Sequence, residues 1–160
     1  MIIYVMGVSG SGKSTIGHLL SEQLGIPFAD GDDFHPKENV EKMRQGHALD
    51  DTDRQGWLEA IQQFALQAQT KQGAIIACSA LKEKYRALLS KDIEKVYWVY
   101  LKGSFEQISQ RLQRRSDHFM PASLLQSQFD TLEVPNKAII VDIDQAPGEM
   151  IHKILLEIAS

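Results

Sequence analysis

Residues 7–15, GVSGSGKST, restrict the fold more than any other stretch of this chain. Three glycines separated by small residues let the backbone pass through positive-φ conformations closed to most other residues. Before them lies IIYVM (2–6), apolar without interruption. After them KSTIGHLLSEQL (13–24) spaces Ile16, Leu19, Leu20 and Leu24 as one helical face and ends at Gly25. A strand with no polar alternation must be covered on both faces, and a helix following directly supplies one cover; this is how a parallel α/β sheet begins. Gly7, Gly12, Lys13 and Ser14 also satisfy G-x-x-x-x-G-K-[ST]. Inward N–H groups and the positive end of a helix dipole make such a turn a holder for phosphate. Gly7, Val8, Ser9, Gly10, Ser11, Gly12, Lys13, Ser14 and Thr15 are therefore expected to bind a nucleotide. Lys13 would reach the β- and γ-phosphates, and the Ser14 hydroxyl would meet Mg²⁺. A chance glycine turn is the plainer reading, but it does not account for the strand before and the helix after.

The rest of the chain keeps alternating. IPFA (26–29) predicts a second strand, and PKENVEKMRQ (36–45) a helix opened by proline and stopped at Gly46. Thr52 and Gln55 stand at capping-box spacing ahead of a helix to about residue 70, with Trp57, Ile61, Phe64 and Ala68 on one face. AIIAC (74–78), KVYWVYL (95–101) and AIIVDI (138–143) predict strands, with helices over 81–90, 104–114 and after Pro147. No internal repeat or linker interrupts the 160 residues. The expectation is one α/β domain over 1–160: a three-layer, doubly wound parallel sheet of about five strands. Ligands of such sheets lie beyond the carboxyl ends of the strands. Asp30, Asp32, Ser79, Lys82, Lys102 and Asp142 follow strands, or nearly do.

Composition narrows the function. Hydrophobic content of 43% and charged content of 24% are globular values. A net charge of −4 argues against a non-specific nucleic-acid binder. No apolar run is long enough to span a bilayer, and the N-terminus lacks a basic signal-peptide region. The single cysteine, Cys78, cannot form an internal disulfide and reads first as a small buried hydrophobe. The chain is expected to be cytoplasmic, with no membrane or nucleic-acid partner.

A phosphate loop alone does not distinguish a kinase from a switch GTPase or a motor ATPase. Residues 136–139, NKAI, carry isoleucine where a guanine-reading N-K-x-D needs aspartate, and they precede the last strand. AIIVD (138–142) has the apolar-run-to-acid form of a motor, but it is the last strand, and AIIAC runs into Ser79. A small-molecule kinase remains. It also gives a reason for DGDDFHP (30–36), which crowds acid beside an anion site. Mg²⁺ between them would offset the charge: Asp30 holds it through water, and Asp32 accepts the proton of the attacking hydroxyl. The plainer reading is an Asx-rich turn ahead of a helix, and it is preferred for Asp33.

Five segments together resemble the gluconokinases, relatives of shikimate kinase and the nucleoside monophosphate kinases. They are GVSGSGKST, DGDDFHPKENVEKMRQGHALDDTDRQGWL, CSALKEKYR, YLKGSFEQISQRLQRRSDHFMPASLLQSQFDTLE and VDID. The resemblance covers nearly the whole chain. It implies ATP- and Mg²⁺-dependent phosphorylation of D-gluconate to 6-phosphogluconate by a cytoplasmic homodimer. A related kinase acting on another sugar acid or on shikimate is the alternative; a nucleotide-dependent regulatory module is the rival from another class. A polyol acid needs hydrogen-bonding groups and a cation around it. Asp32 and His35 suit its hydroxyls, and Arg54 and Arg86 are candidates for its carboxylate. Ser79 and Lys82 are expected to line the same cleft, with Gln128 facing it from beyond a lid over about 111–125. Ser79 as a helix N-cap is the plainer alternative. In that lid, Arg111 and Arg115, four apart, would close on the phosphates as catalytic cations. Asp142 is expected to border the adenine.

Overall fold

The first apolar run sits at the centre of the molecule because both of its faces are covered. The structure is a computed structural model, and it describes residues 1–114 and 121–160. Strand β1 (Ile2–Met6) is buried along its whole length and pairs in parallel with β3 (Ala74–Ala77) on one side and β4 (Val96–Lys102) on the other. β2 (Phe28–Asp30) extends the sheet beyond β3, and β5 (Ile139–Asp142) extends it beyond β4. The order is β2-β3-β1-β4-β5, all parallel.

Alternation along β1 divides the core into two. Ile3 and Val5 face α1 (Lys13–Leu24) and α7 (Pro147–Ala159), packing with Ile16, Leu20 and Ile154. Ile2, Tyr4 and Met6 face α3 (Asp51–Gln69) and α4 (Glu83–Ser90), packing with Trp57, Ile61 and Leu89. Each fully buried side chain of this size contributes about 1.5–3 kcal/mol. The result is the expected three-layer α/β sheet. α2 (Lys37–Arg44), α5 (Phe105–Gln113) and α6 (Ala122–Thr131) complete the described helices. Among the described residues, no helix is long and apolar enough to cross a membrane.

Several boundaries differ from the sequence reading, each for a local reason. β2 begins at Phe28, after Pro27, which has no N–H to give the ladder; its carbonyl instead accepts from Ile75 N at 2.9 Å. The strand ends on Asp30, which pairs with Ala77, the last residue of β3. α2 begins at Lys37, with Pro36 as its N-cap. The α3 capping box is made by Asp50 and Asp53, not by Thr52 and Gln55. Asp53 N donates to the Asp50 carboxylate at 2.7 Å and Asp50 N to the Asp53 carboxylate at 2.9 Å, so charged acceptors take the first turn. α4 starts at Glu83 with Lys82 as N-cap; Ser79 caps nothing. α6 was not foreseen as a helix. Pro121 at its N-cap and buried Leu124 and Leu125 were the available signals.

Candidate active site

The topology reverses at β1: the chain passes from β1 to β2 and β3 on one side and then to β4 on the other. The crevice at such a switch point is where a parallel sheet binds its ligand. The glycine loop opens into it. Gly7, Gly10 and Gly12 take φ of 150°, 83° and 98°, conformations that side-chain-bearing residues rarely adopt. Lys13 folds back over this loop, donating to the carbonyls of Gly7 at 3.1 Å and Val8 at 3.0 Å. Burial lowers the proton affinity of its ammonium, while the charges of Asp32, Cys78 and Asp30 raise it again. Cys78 is buried as expected, its thiol pushed up to about 12 chiefly by that burial.

Opposite the loop, a 3₁₀ turn (Gly31–Phe34) follows β2. Asp30 caps it, one carboxylate oxygen accepting from Asp32 N at 2.9 Å. The other accepts from the Ser14 hydroxyl at 3.5 Å. Ser14 and Asp30 thus place hard oxygen donors at the mouth of the loop, a set that suits Mg²⁺, which keeps most of its shell for water and phosphate. Asp32 is open to water in the cleft yet ringed by protein. Burial raises its carboxyl above the usual range, Lys13 pulls it down, and Asp30 and Asp33 push it up. The turn is built tightly against the sheet. A Cβ on Gly31 would lie 2.4 Å from the Ala77 carbonyl oxygen, and the Gly31 carbonyl accepts from the Trp57 indole at 2.7 Å.

Trp57 also carries His35, whose ring stacks on it at 4.1 Å with an interplanar angle of 13°. Burial first, and Arg54 second, lower the imidazole to about 4. An unfolded histidine takes its proton near 6.5, so between those values the unfolded chain holds more protons than the folded one. Stability conferred by neutral His35 is therefore complete above about pH 6.5 and is lost as pH falls toward 4. After discounting for the solvent around a partly exposed ring, this is on the order of 1 kcal/mol. Urea midpoints for the native chain and His35→Gln should converge between pH 7.5 and 4.5; a constant gap over that range would contradict the assignment.

A cleft of about 500 Å³ joins these groups. Lys13, Asp32, His35, Arg54, Ser79 and Gln128, all singled out in the sequence, line it. Arg54 is held by the Tyr85 hydroxyl at 2.9 Å, and that hydroxyl donates to Asp51. Gln128, on α6, grips the loop itself: its amide oxygen accepts from Ser9 N at 2.8 Å and its amide nitrogen donates to Ser9 Oγ at 3.0 Å. Arg111 lies along the loop's other flank, donating to Ser11 O at 3.5 Å and Ile143 O at 2.5 Å. Arg115 lies outside the described residues.

Three expected residues are placed elsewhere. Arg86 is 4% exposed and does not line the cleft. Its guanidinium donates to Ala80 O at 2.7 Å, Glu133 O at 2.8 Å and the Glu83 carboxylate at 3.0 Å. That clamp holds Ala80 at φ 44°, a left-handed conformation that costs about 1–3 kcal/mol. Lys82 pairs with Asp51 at 3.3 Å and does not line the cleft. Asp142 ends β5 with its side chain exposed; the small hollow beside Arg111 is lined by Ile143 and Asp144 instead. The sequence reading missed Trp57 and Ser127 as cleft residues. It had assigned Trp57 to a core face, and the tryptophan serves both: its ring is in the core and its indole N–H holds the acidic turn.

A family description for shikimate kinase matches residues 9–158. The thermoresistant gluconokinase of Escherichia coli K12 is 45% identical over 89% of this chain and 85% of its own length. The gluconokinase of Arabidopsis thaliana is 42% identical over 99% of this chain and 93% of its own. The chain belongs to the gluconokinase family. A crystal structure of a gluconokinase from Sinorhizobium meliloti 1021 superposes with a TM-score of 0.90 at 41% identity, covering 99% of this chain and 91% of that one. Shikimate kinase of Aquifex aeolicus, with a TM-score of 0.64 and 24% identity, shares the fold. The gluconokinase family is one of kinases, and this chain is a kinase by that membership.

Proposed function

We propose that the protein transfers the γ-phosphoryl group of ATP to a terminal hydroxyl of D-gluconate, giving 6-phospho-D-gluconate. The observation that carries this reading is one cleft in which the phosphate-loop Lys13 stands across from Asp32, His35 and Arg54. The loop N–H groups and Lys13 hold the phosphates; Arg54 takes the carboxylate; His35 takes a hydroxyl. Asp32, whose carboxyl is raised above the usual range by burial, accepts the proton of the attacking alcohol. Ser14 and Asp30 would hold Mg²⁺, which supplies charge neutralisation between the β- and γ-phosphates. Arg111, beside the loop and the hollow at Ile143, would face the nucleotide. The same reading has the enzyme working in the cytoplasm as a homodimer, as the family resemblance implies.

ADP release from ATP and Mg²⁺ tests it, with gluconate, other aldonic acids and shikimate supplied separately. Gluconate is expected to give the highest kcat/KM. Turnover of shikimate or another acid in its place would move the assignment within the kinases. ATP binding without turnover of any of them would favour a regulatory module.

A further inference from the structure

We propose that Asn39 is a positioning residue: it holds the His35 ring with its proton on Nε2, so that the ring offers the cleft a hydrogen-bond donor and no acceptor. The proposal rests on the functional reading above for the identity of the group that receives the bond, an oxygen of the polyol acid.

Asn39 is 4% exposed, in the first turn of α2, just after the 3₁₀ turn. Its amide nitrogen lies 2.7 Å from the Asp53 carbonyl oxygen and 3.2 Å from His35 Nδ1. A carbonyl oxygen only accepts, so the group facing Asp53 must be the NH₂ end of the amide. That NH₂ has a second hydrogen and no lone pair to offer, so Nδ1 must accept it. In a neutral imidazole the proton is then on Nε2. The Trp57 ring fixes the plane, and Trp57 is tied in turn to the Gly31 carbonyl, between Asp30 and Asp32. Charged groups around the ring come from each neighbouring element: Asp32 from its own turn, Arg44 from α2, Asp53 and Arg54 from α3, and Lys13 across the cleft. Arg54 and burial both disfavour a second proton on the ring.

Two consequences follow for the reaction. With Nδ1 occupied and Nε2 protonated, His35 cannot take the alcohol's proton, which leaves that task to Asp32. The ring also presents the same donor throughout the neutral pH range, so it discriminates for an oxygen acceptor at one position of the substrate. A site built to donate a hydrogen bond rejects an analogue lacking the acceptor, because the donor is left unpaired.

The test begins with the unmodified protein. With ¹⁵N-labelled imidazole, His35 at pH 7 should show a protonated Nε2 and an unprotonated Nδ1, its signal assigned by loss in His35→Gln. Asn39→Asp places a carboxylate oxygen against Nδ1; the proton should shift there, and Nε2 become an acceptor. The KM for gluconate should then rise about ten-fold, the scale of one lost hydrogen bond, while the KM for ATP stays within about two-fold. A new titration of the gluconate KM should appear at roughly pH 5.5–7.5, absent from the parent. Native His35 protonated on Nδ1 would overturn the proposal, as would a folded Asn39→Asp with an unchanged KM for gluconate. Should Asn39→Asp fail to fold, Asn39→Ala should show mixed tautomers and a raised KM for gluconate; a single Nε2–H tautomer there would also overturn it. A native protein with the Nε2–H tautomer but no turnover of gluconate would sink the functional reading and leave the role of Asn39 standing.

Discussion

Replacing Lys13 with alanine is expected to lower turnover by about 10³-fold or more, with little change in the melting temperature. The ammonium is drawn into the glycine loop at the wall of the cleft, and burial already lowers its affinity for the proton. Its bonds to the Gly7 and Val8 carbonyls place it over the loop that would receive the phosphates. Phosphoryl transfer passes through a loose transition state whose charge spreads over the equatorial oxygens, so catalysis depends mostly on position and charge neutralisation. A fixed cation at low local dielectric is worth far more there than in water. Single-turnover rates at saturating ATP and gluconate are the measurement, with thermal unfolding as the control. If the variant lost its fold and kept its rate per folded molecule, Lys13 would be a loop clamp and nothing more.

Asp32→Asn is expected to cost less, about 10²-fold in the same single-turnover rate. The amide is the same size and keeps one acceptor for the substrate hydroxyl, so positioning survives and proton acceptance does not. In a loose transition state the attacking alcohol is only weakly bonded, and its proton leaves late. The neighbouring carboxylate of Asp30 also remains, still capping the turn through Asp32 N. The ranking is the informative quantity: equal losses for Lys13→Ala and Asp32→Asn would show that proton removal limits the step as much as charge neutralisation does. An Asp32→Asn protein at native rate would take Asp32 out of the chemistry.

Much of this site was legible because its parts are local. Gly7, Gly12, Lys13 and Ser14 lie within eight consecutive residues, and their backbone conformations follow from the glycines themselves. Asp30, Asp32 and His35 lie in one short segment after a strand, and a strand's end in a parallel sheet has a known direction. The β5 segment was legible as a strand, but not which acid borders the hollow by Arg111: Asp142 ends the strand, and the turn after it brings Asp144 to the hollow. Arg54 and Arg86 looked alike, each on a helix after an acidic or basic cluster. Arg54 reaches the cleft because the Tyr85 hydroxyl holds it there. Arg86 is consumed by the carbonyls of Ala80 and Glu133, which come from two separate loops. No spacing rule within a single helix contains that information.

What the sequence determined by itself was the alternation of the five strands with every helix but α6, the phosphate loop and the chemical groups available at the strand ends. These depend on hydrophobic period, glycine conformations and proline, which act over a few residues. Only the tertiary structure decided which polar side chains face the cleft and in what state of bonding. Asn39 on the Asp53 carbonyl, Trp57 under the acidic turn and Gln128 on Ser9 are contacts between separate segments of the chain. A buried polar group must find its partner wherever packing places one, and packing is a property of the whole sheet with its helices.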